Sequence, residues 1–131
     1  MSSSDTDREA TEFDDWIVAE FAERGAFTVL VVLVEIGERS VTPLASTYLN
    51  VIGTEVMWPE IVDLFVGSGV AWDGVSFFPV AALDGLLDNQ AARASLRELE
   101  TRVKSERLAL NEGFFFDRQG QRMMVEEVAA Q

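Results

Sequence analysis

The tightest clusters of reactive side chains in this sequence are three carboxylate pairs: Asp5/Asp7, Asp14-Asp15 and Glu126-Glu127. Paired carboxylates can share proton-transfer work, or hold Mg²⁺ or Ca²⁺ through oxygen. Neighbouring residues on a helix point about 100° apart, so Asp14-Asp15 is a poor chelate. The other two pairs lie in terminal stretches where little order is expected. The chain has no Cys and no His. That removes disulfides, thiolate metal sites, the Cys nucleophile, the commonest general base and the commonest transition-metal ligand. No phosphate-binding loop, dinucleotide fingerprint or Gly-x-Ser-x-Gly elbow occurs. The sequence therefore predicts no catalytic residue, no metal ligand and no cofactor, and the chain is not expected to be an enzyme.

Aromatic side chains offer a different chemistry, that of contact. Trp and Tyr dominate interface hot spots. Trp58, Trp72, Phe77 and Phe78 cluster in sequence. Successive strand side chains point to opposite sides, so one of Phe77 and Phe78 must leave its sheet's core face. Trp58, beside Pro59 at a helix start, is either a staple into the core or an anchor for a partner. Trp58, Trp72, Asp73 and Phe78 are the expected partner-binding surface. The run Phe114 to Phe116 raises the same issue, because three consecutive aromatics in a hairpin cannot all face one core. A near-heptad seam runs through Ala92, Leu96, Leu99, Val103 and Leu110, interrupted by Glu106. Leu96, Leu99, Val103 and Phe115 are the expected self-association residues, in a homodimer. The alternative is that this helix covers the chain's own sheet.

The charge bounds the partner. The 131 residues carry a net charge of −13, and only one of the ten basic residues is Lys. All of that excess lies in residues 1–92, where three Arg face sixteen Asp and Glu. Between Ser40 and Ala92 there is no Lys or Arg. The composition resembles that of proteins from salt-loving archaea, whose acidic, Lys-poor surfaces stay hydrated in concentrated salt. An ordinary acidic bacterial or viral protein is the alternative. Met1 to Thr11 lacks the basic and apolar regions of a secretory leader. The longest apolar run falls far short of the ~20 residues that span a bilayer. A cytoplasmic protein with no membrane partner is expected.

These side chains must be positioned by a small α+β domain. Residues 1–10 read as a flexible acidic tail and 11–131 as one domain. Thr11 or Asp14 can cap a first helix ending at Gly25. Ala26 to Ile36 favours a strand by propensity, but its length and context predict a buried helix, with a short strand at Arg39 to Val41. Thr42-Pro43 starts a helix ending at Gly53, and Thr54 starts another through Trp58 to Val66. In the stretch GVAWDGVSFFP, Asp73-Gly74 between apolar runs predicts a hairpin. Val80 to Leu87 reads as a short helix and Asn89 to Asn111 as a long one. Phe114 to Phe116 and Gln121 to Val125 read as a second hairpin around Asp117 to Gly120.

Helix, short strand, helix, helix, hairpin over residues 26–79 is the order of a winged-helix domain. The stretches FTVLVVLVEIGERSVT, PLASTYLNVIG and FVGSGVAWDGVSFFPV resemble the winged-helix regulators of the MarR and ArsR kind. Leu64-Phe65 followed by Gly69-Val70 is similar to their step from recognition helix into wing. The resemblance implies a winged-helix core at 26–79, with residues 80–131 as C-terminal helices and hairpin. It also implies that the helix at Glu55–Val66 would enter the major groove of DNA. Here the sequence departs from the pattern. Phosphate and base contacts favour Lys, Arg, Asn and Gln, whereas this helix offers Glu55, Glu60 and Asp63, and the wing offers Asp73. DNA is therefore disfavoured. The expected function is protein–protein interaction, as an adaptor or regulator. A DNA-binding regulator of a halophile is the alternative, and an acidic inhibitor or nucleic-acid mimic capping a basic partner is a third.

Overall fold

The computed structural model describes residues 11–38, 40–53, 57–80 and 86–124. Helix α1 (Glu12–Arg24) leads into strand β1 (Phe27–Ile36), which turns back as β2 (Val41–Val51). Helix α2 (Trp58–Val66) precedes β3 (Gly74–Val80). Helix α3 (Asn89–Ser105) and a 3₁₀ turn (Arg107–Glu112) lead to β4 (Phe114–Asp117). The four strands form one antiparallel sheet in the order β2-β1-β3-β4.

The α+β expectation holds; the winged-helix arrangement is not confirmed. Residues 26–79 run strand, strand, helix, strand. Ala26 to Ile36 is the central strand rather than a helix. All of Phe27 to Val34 is buried, because helices cover both faces of the sheet. A strand covered on both sides has no polar alternation, so its sequence carries no period. Its β-branched content, Val29, Val31, Val32 and Val34, is the signal that holds.

The stretch from Thr42 is likewise a strand. Its odd residues Ala45, Leu49 and Val51 join the core under α1 and α2, while Tyr48 joins the core under α3. Pro43 is tolerated because β2 is an edge strand and the register slips beside it. Leu33 pairs with Ala45 and Val34 with Pro43, so Leu44 is an extra residue.

The expected hairpin at Asp73-Gly74 does not form. Val70 to Trp72 is not a strand. Gly74–Val80 pairs instead with β1, Val34 to Gly74 through Thr28 to Val80, and with β4 on its other side. The Asp73 N–H donates to Val34 O at 2.8 Å, and its Oδ2 accepts from the Ile36 N–H at 2.8 Å. Asp73 thus clamps the end of β1. Gly74 suits this close packing: a Cβ there would lie 3.1 Å from the Phe115 ring and 3.2 Å from Ile36 Cδ1, so a neighbour would have to give way.

Other expectations hold more closely. Thr11 caps α1 in a reciprocal box with Asp14, and Gly25 ends the helix at φ 74°. Pro59 sits in the first turn of α2. The long helix stops at Ser105 and tightens into the 3₁₀ turn, rather than running to Asn111. The short helix expected at Val80 to Leu87 falls largely outside the described residues. Val80 itself closes β3.

Two cores result, one on each face of the sheet. Under α1 and α2 lie Phe13, Trp16, Ile17, Val29, Val31, Trp58, Phe65, Trp72, Phe77 and Phe116. Under α3 and the 3₁₀ turn lie Leu30, Val32, Val34, Leu99, Val103, Leu110 and Phe115. Among the described residues no helix is long and apolar enough to cross a membrane.

Candidate functional site

The structure does not bring the four residues expected to form a partner surface onto one exposed face. Trp58 and Trp72 are 5% and 2% exposed and meet edge-on, ring centroids 6.2 Å apart. Trp58 Nε1 donates to Arg118 O at 2.9 Å, and Phe13 and Phe116 pack on its ring. The Arg118 guanidinium lies 5.2 Å from the Trp72 ring centroid. Asp73 is half-buried and engaged with Ile36. Phe78 is half-buried on the opposite face, against the α3 core. As for the open alternative at Trp58, the side chain is a staple into the core.

The self-association residues are also turned inward. Leu99, Val103 and Phe115 are buried against Leu30, Val32 and Val34, with Leu96 packed beside them. A heptad seam and a sheet-covering helix share the same spacing, so sequence alone could not separate them. The three Phe residues of β4 divide as a strand requires: Phe115 enters the α3 core, and Phe114 and Phe116 the other.

Asp14 is buried and structural. Its Oδ2 accepts from the Thr11 N–H at 3.0 Å and its Oδ1 from the Trp58 N–H at 2.8 Å, so one carboxylate caps α1 and anchors the start of α2. Asp15 is exposed. No cluster of three or more carboxylates able to hold a metal ion occurs among the described residues. Asp5/Asp7 and Glu126-Glu127 lie outside those residues.

What the fold leaves open lies along β2. Beneath α2 the outer part of the sheet is only partly covered. Two adjoining cavities, ≈ 540 Å³ and ≈ 300 Å³, run between β2 and α2. Leu33, Ala45 and Thr47 line the larger, with Asp63 and Phe65 across from them. Ile17, Val29 and Val51 line the smaller, with Glu60 and Ile61 opposite. Leu49 and Leu64 line both, so the two cavities form one groove. Leu64 is 52% exposed and Val66 55%. No Lys or Arg lines either cavity, and the charged residues at the groove are Asp63 and Glu60. Neither carboxylate has an ion-pair partner among the described residues.

Local sequence explains the groove. On α2, Trp58, Ile61 and Phe65 point inward at helical spacing. Leu64 and Val66 lie off that stripe, too apolar for solvent and too far around to reach the core. On β2, the small side chains Ala45 and Thr47 leave space where larger ones would meet α2. Sequence reasoning gives Leu49, Thr47 and Leu64 no role in a contact surface. The available signal was the pair of off-stripe apolar residues on α2, which has meaning only once β2 is known to be a strand.

Compared with known proteins, the chain matches no family model, and no curated protein or solved structure matches it.

Proposed function

We propose that this chain is a non-enzymatic protein-interaction module, an adaptor or regulatory component whose contact surface is the groove between β2 and α2. One observation carries the reading. The groove is apolar, open and continuous over both cavities, and exposed Leu64 forms its lip. Apolar clefts with a few polar groups at the rim are the usual form of a binding site. The tryptophans of the earlier expectation support the surface from within: Trp58 and Phe65 hold α2 over the sheet, and Trp72 packs edge-on against both.

A photocrosslinking amino acid at Leu64, with a second at exposed Thr101 on α3 as control, tests this in native cells. The expected result is a discrete adduct with another protein from position 64 and none from 101. Adducts from 101 alone, or the absence of any protein adduct together with salt-sensitive shifting of genomic DNA fragments, would overturn it.

A further inference from the structure

The sheet has two edges, and among the described residues only one is open. On the outer side of β4 the chain returns: Asp117 N–H donates to Gln121 O at 2.9 Å, Met123 N–H to Phe115 O at 2.9 Å, and Phe116 bridges Arg122. The first half of β2 is protected differently. It carries Pro43 and the extra residue Leu44, and Arg107 Nε donates to Val41 O at 2.6 Å. Proline, bulges and charges are the devices that stop a strand edge from pairing with another chain. The second half, Ala45 to Val51, has no proline and no bulge, and the charge that reaches it, Glu100 of α3, accepts from the Ser46 hydroxyl and not from the strand's backbone. Its sequence ASTYLNV holds no charge and no proline, and it pairs residue for residue with Phe27 to Leu33. No strand among the described residues lies outside it. This unprotected half also lies beside the groove, and Ala45, Thr47 and Leu49 belong to both.

We infer that Ala45–Val51 is a template for strand addition, taking an extended peptide of basic and apolar residues from another protein. The inference rests on the interaction-module reading and names its ligand. Backbone hydrogen bonds to the free edge supply affinity, and pockets for alternate side chains supply specificity. Side chains on one face of an added strand recur about every 6.6–6.8 Å, so two apolar residues at i and i+2 can enter the two adjoining cavities. The charge decides the flanks. Neither Asp63 nor Glu60 at the groove has an ion-pair partner among the described residues, Glu60 Oε1 accepting only the Met57 N–H at 3.4 Å, and Ser40 to Ala92 contains no cation. Lys or Arg flanking the apolar pair meets both carboxylates. A second copy would bring a chain of net charge −13 against the same two carboxylates, which disfavours self-pairing, so the occupant is a different, cationic protein.

The test is selection of a random dodecapeptide phage library against the full chain, followed by titration of the enriched synthetic peptides. The expected peptides carry apolar residues at every second position, with Lys or Arg beside them. Their affinity should weaken as salt is raised and drop about tenfold or more in Thr47→Lys and in Leu64→Asp. Thr101→Lys on α3 should leave it unchanged. Circular dichroism and melting of each variant separate lost binding from lost folding. Four outcomes overturn the inference. No enrichment removes a linear peptide as the occupant, while the crosslinking result for the module still stands. Enriched peptides with apolar residues at i, i+3 and i+4 make the groove a helix receptor. Acidic or uncharged peptides remove the charge argument. A concentration-dependent dimer that Leu64→Asp makes monomeric puts a second copy in the groove.

Discussion

The two edges of the sheet contain the same backbone chemistry and end in opposite ways. At β4 the strand is short and its outer hydrogen bonds are taken by the chain's own return through Gln121 to Met123. That return is locked to the α1–α2 layer. The Phe13 N–H donates to Gly120 O at 3.0 Å, Arg118 O accepts the Trp58 indole, and the Arg122 N–H donates to the Glu12 carboxylate. At β2 the strand is long, its first half is blocked, and its second half has no strand beyond it among the described residues and lies beside an apolar groove. A protein this acidic has charge in plenty to blunt an edge, yet seven consecutive residues of β2 carry none. What a strand edge does is therefore set by a few residues around it and not by the sheet.

The largest expected effect comes from removing the packing behind the closed edge. Phe116 is fully buried among Phe13, Trp16, Trp58 and Phe77. Phe116→Ala should destabilise the fold by about 3–5 kcal/mol in denaturant titration. A loss below 1 kcal/mol would mean that this core is loose and that the β4 edge is not held as described.

Gly120 comes next. It sits at φ 80°, and a Cβ would lie 2.9 Å from Thr11 Cβ and 3.0 Å from the Trp58 ring. Gly120→Ala should cost roughly 2–4 kcal/mol from left-handed strain plus overpacking. Asp14→Ala removes the acceptor for two backbone N–H groups, one of them buried at Trp58. It should cost about 1–3 kcal/mol and loosen α2 over the groove. Both losses are read by denaturant titration.

At the open edge the sign of the comparison reverses. Thr47→Lys and Leu64→Asp change exposed side chains and should shift stability by only about 0.5 kcal/mol in either direction, while weakening peptide binding about tenfold or more. If either unfolded the protein, the groove would be part of the core and not a site. The smallest effect is expected at the exposed Arg102–Glu112 pair, where the hydrogen bond and charge of Glu112 raise the Arg102 pKa. Glu112→Gln should leave the melting temperature unchanged, because exposed ion pairs contribute little. A clear drop would show that the turn leading into β4 depends on it.

Local signals in the sequence were read correctly where the chain answers them locally. Thr11 caps α1 through Asp14 three residues on, Gly25 ends that helix, and Pro59 sits in the first turn of α2. The reading failed where partners are distant. Val29 to Val34 lacks a period because both its faces are buried, and that burial depends on helices elsewhere in the chain. Asp73-Gly74 carries a hairpin signature, but the partners of Asp73 are Val34 and Ile36, far back in sequence. A helix at the first stretch and a hairpin at the second together make a winged-helix order, and neither forms. The groove was illegible for the same reason. Ala45, Leu49 and Leu64 meet only because β2 is a strand and α2 crosses above it.

Residue-resolved amide hydrogen exchange, with and without a selected basic peptide, tests the central claim most directly, because it reports on both edges at once. Without peptide, amides of Ala45–Val51 that point away from β1 should exchange rapidly, and those of Asp117 and Met123 slowly. With peptide, exchange should slow at Ala45–Val51 and around Asp63–Leu64, and stay as it was at β4. Slow exchange along the β2 edge before any peptide is added, or protection that falls on α3 or β4, would contradict the account.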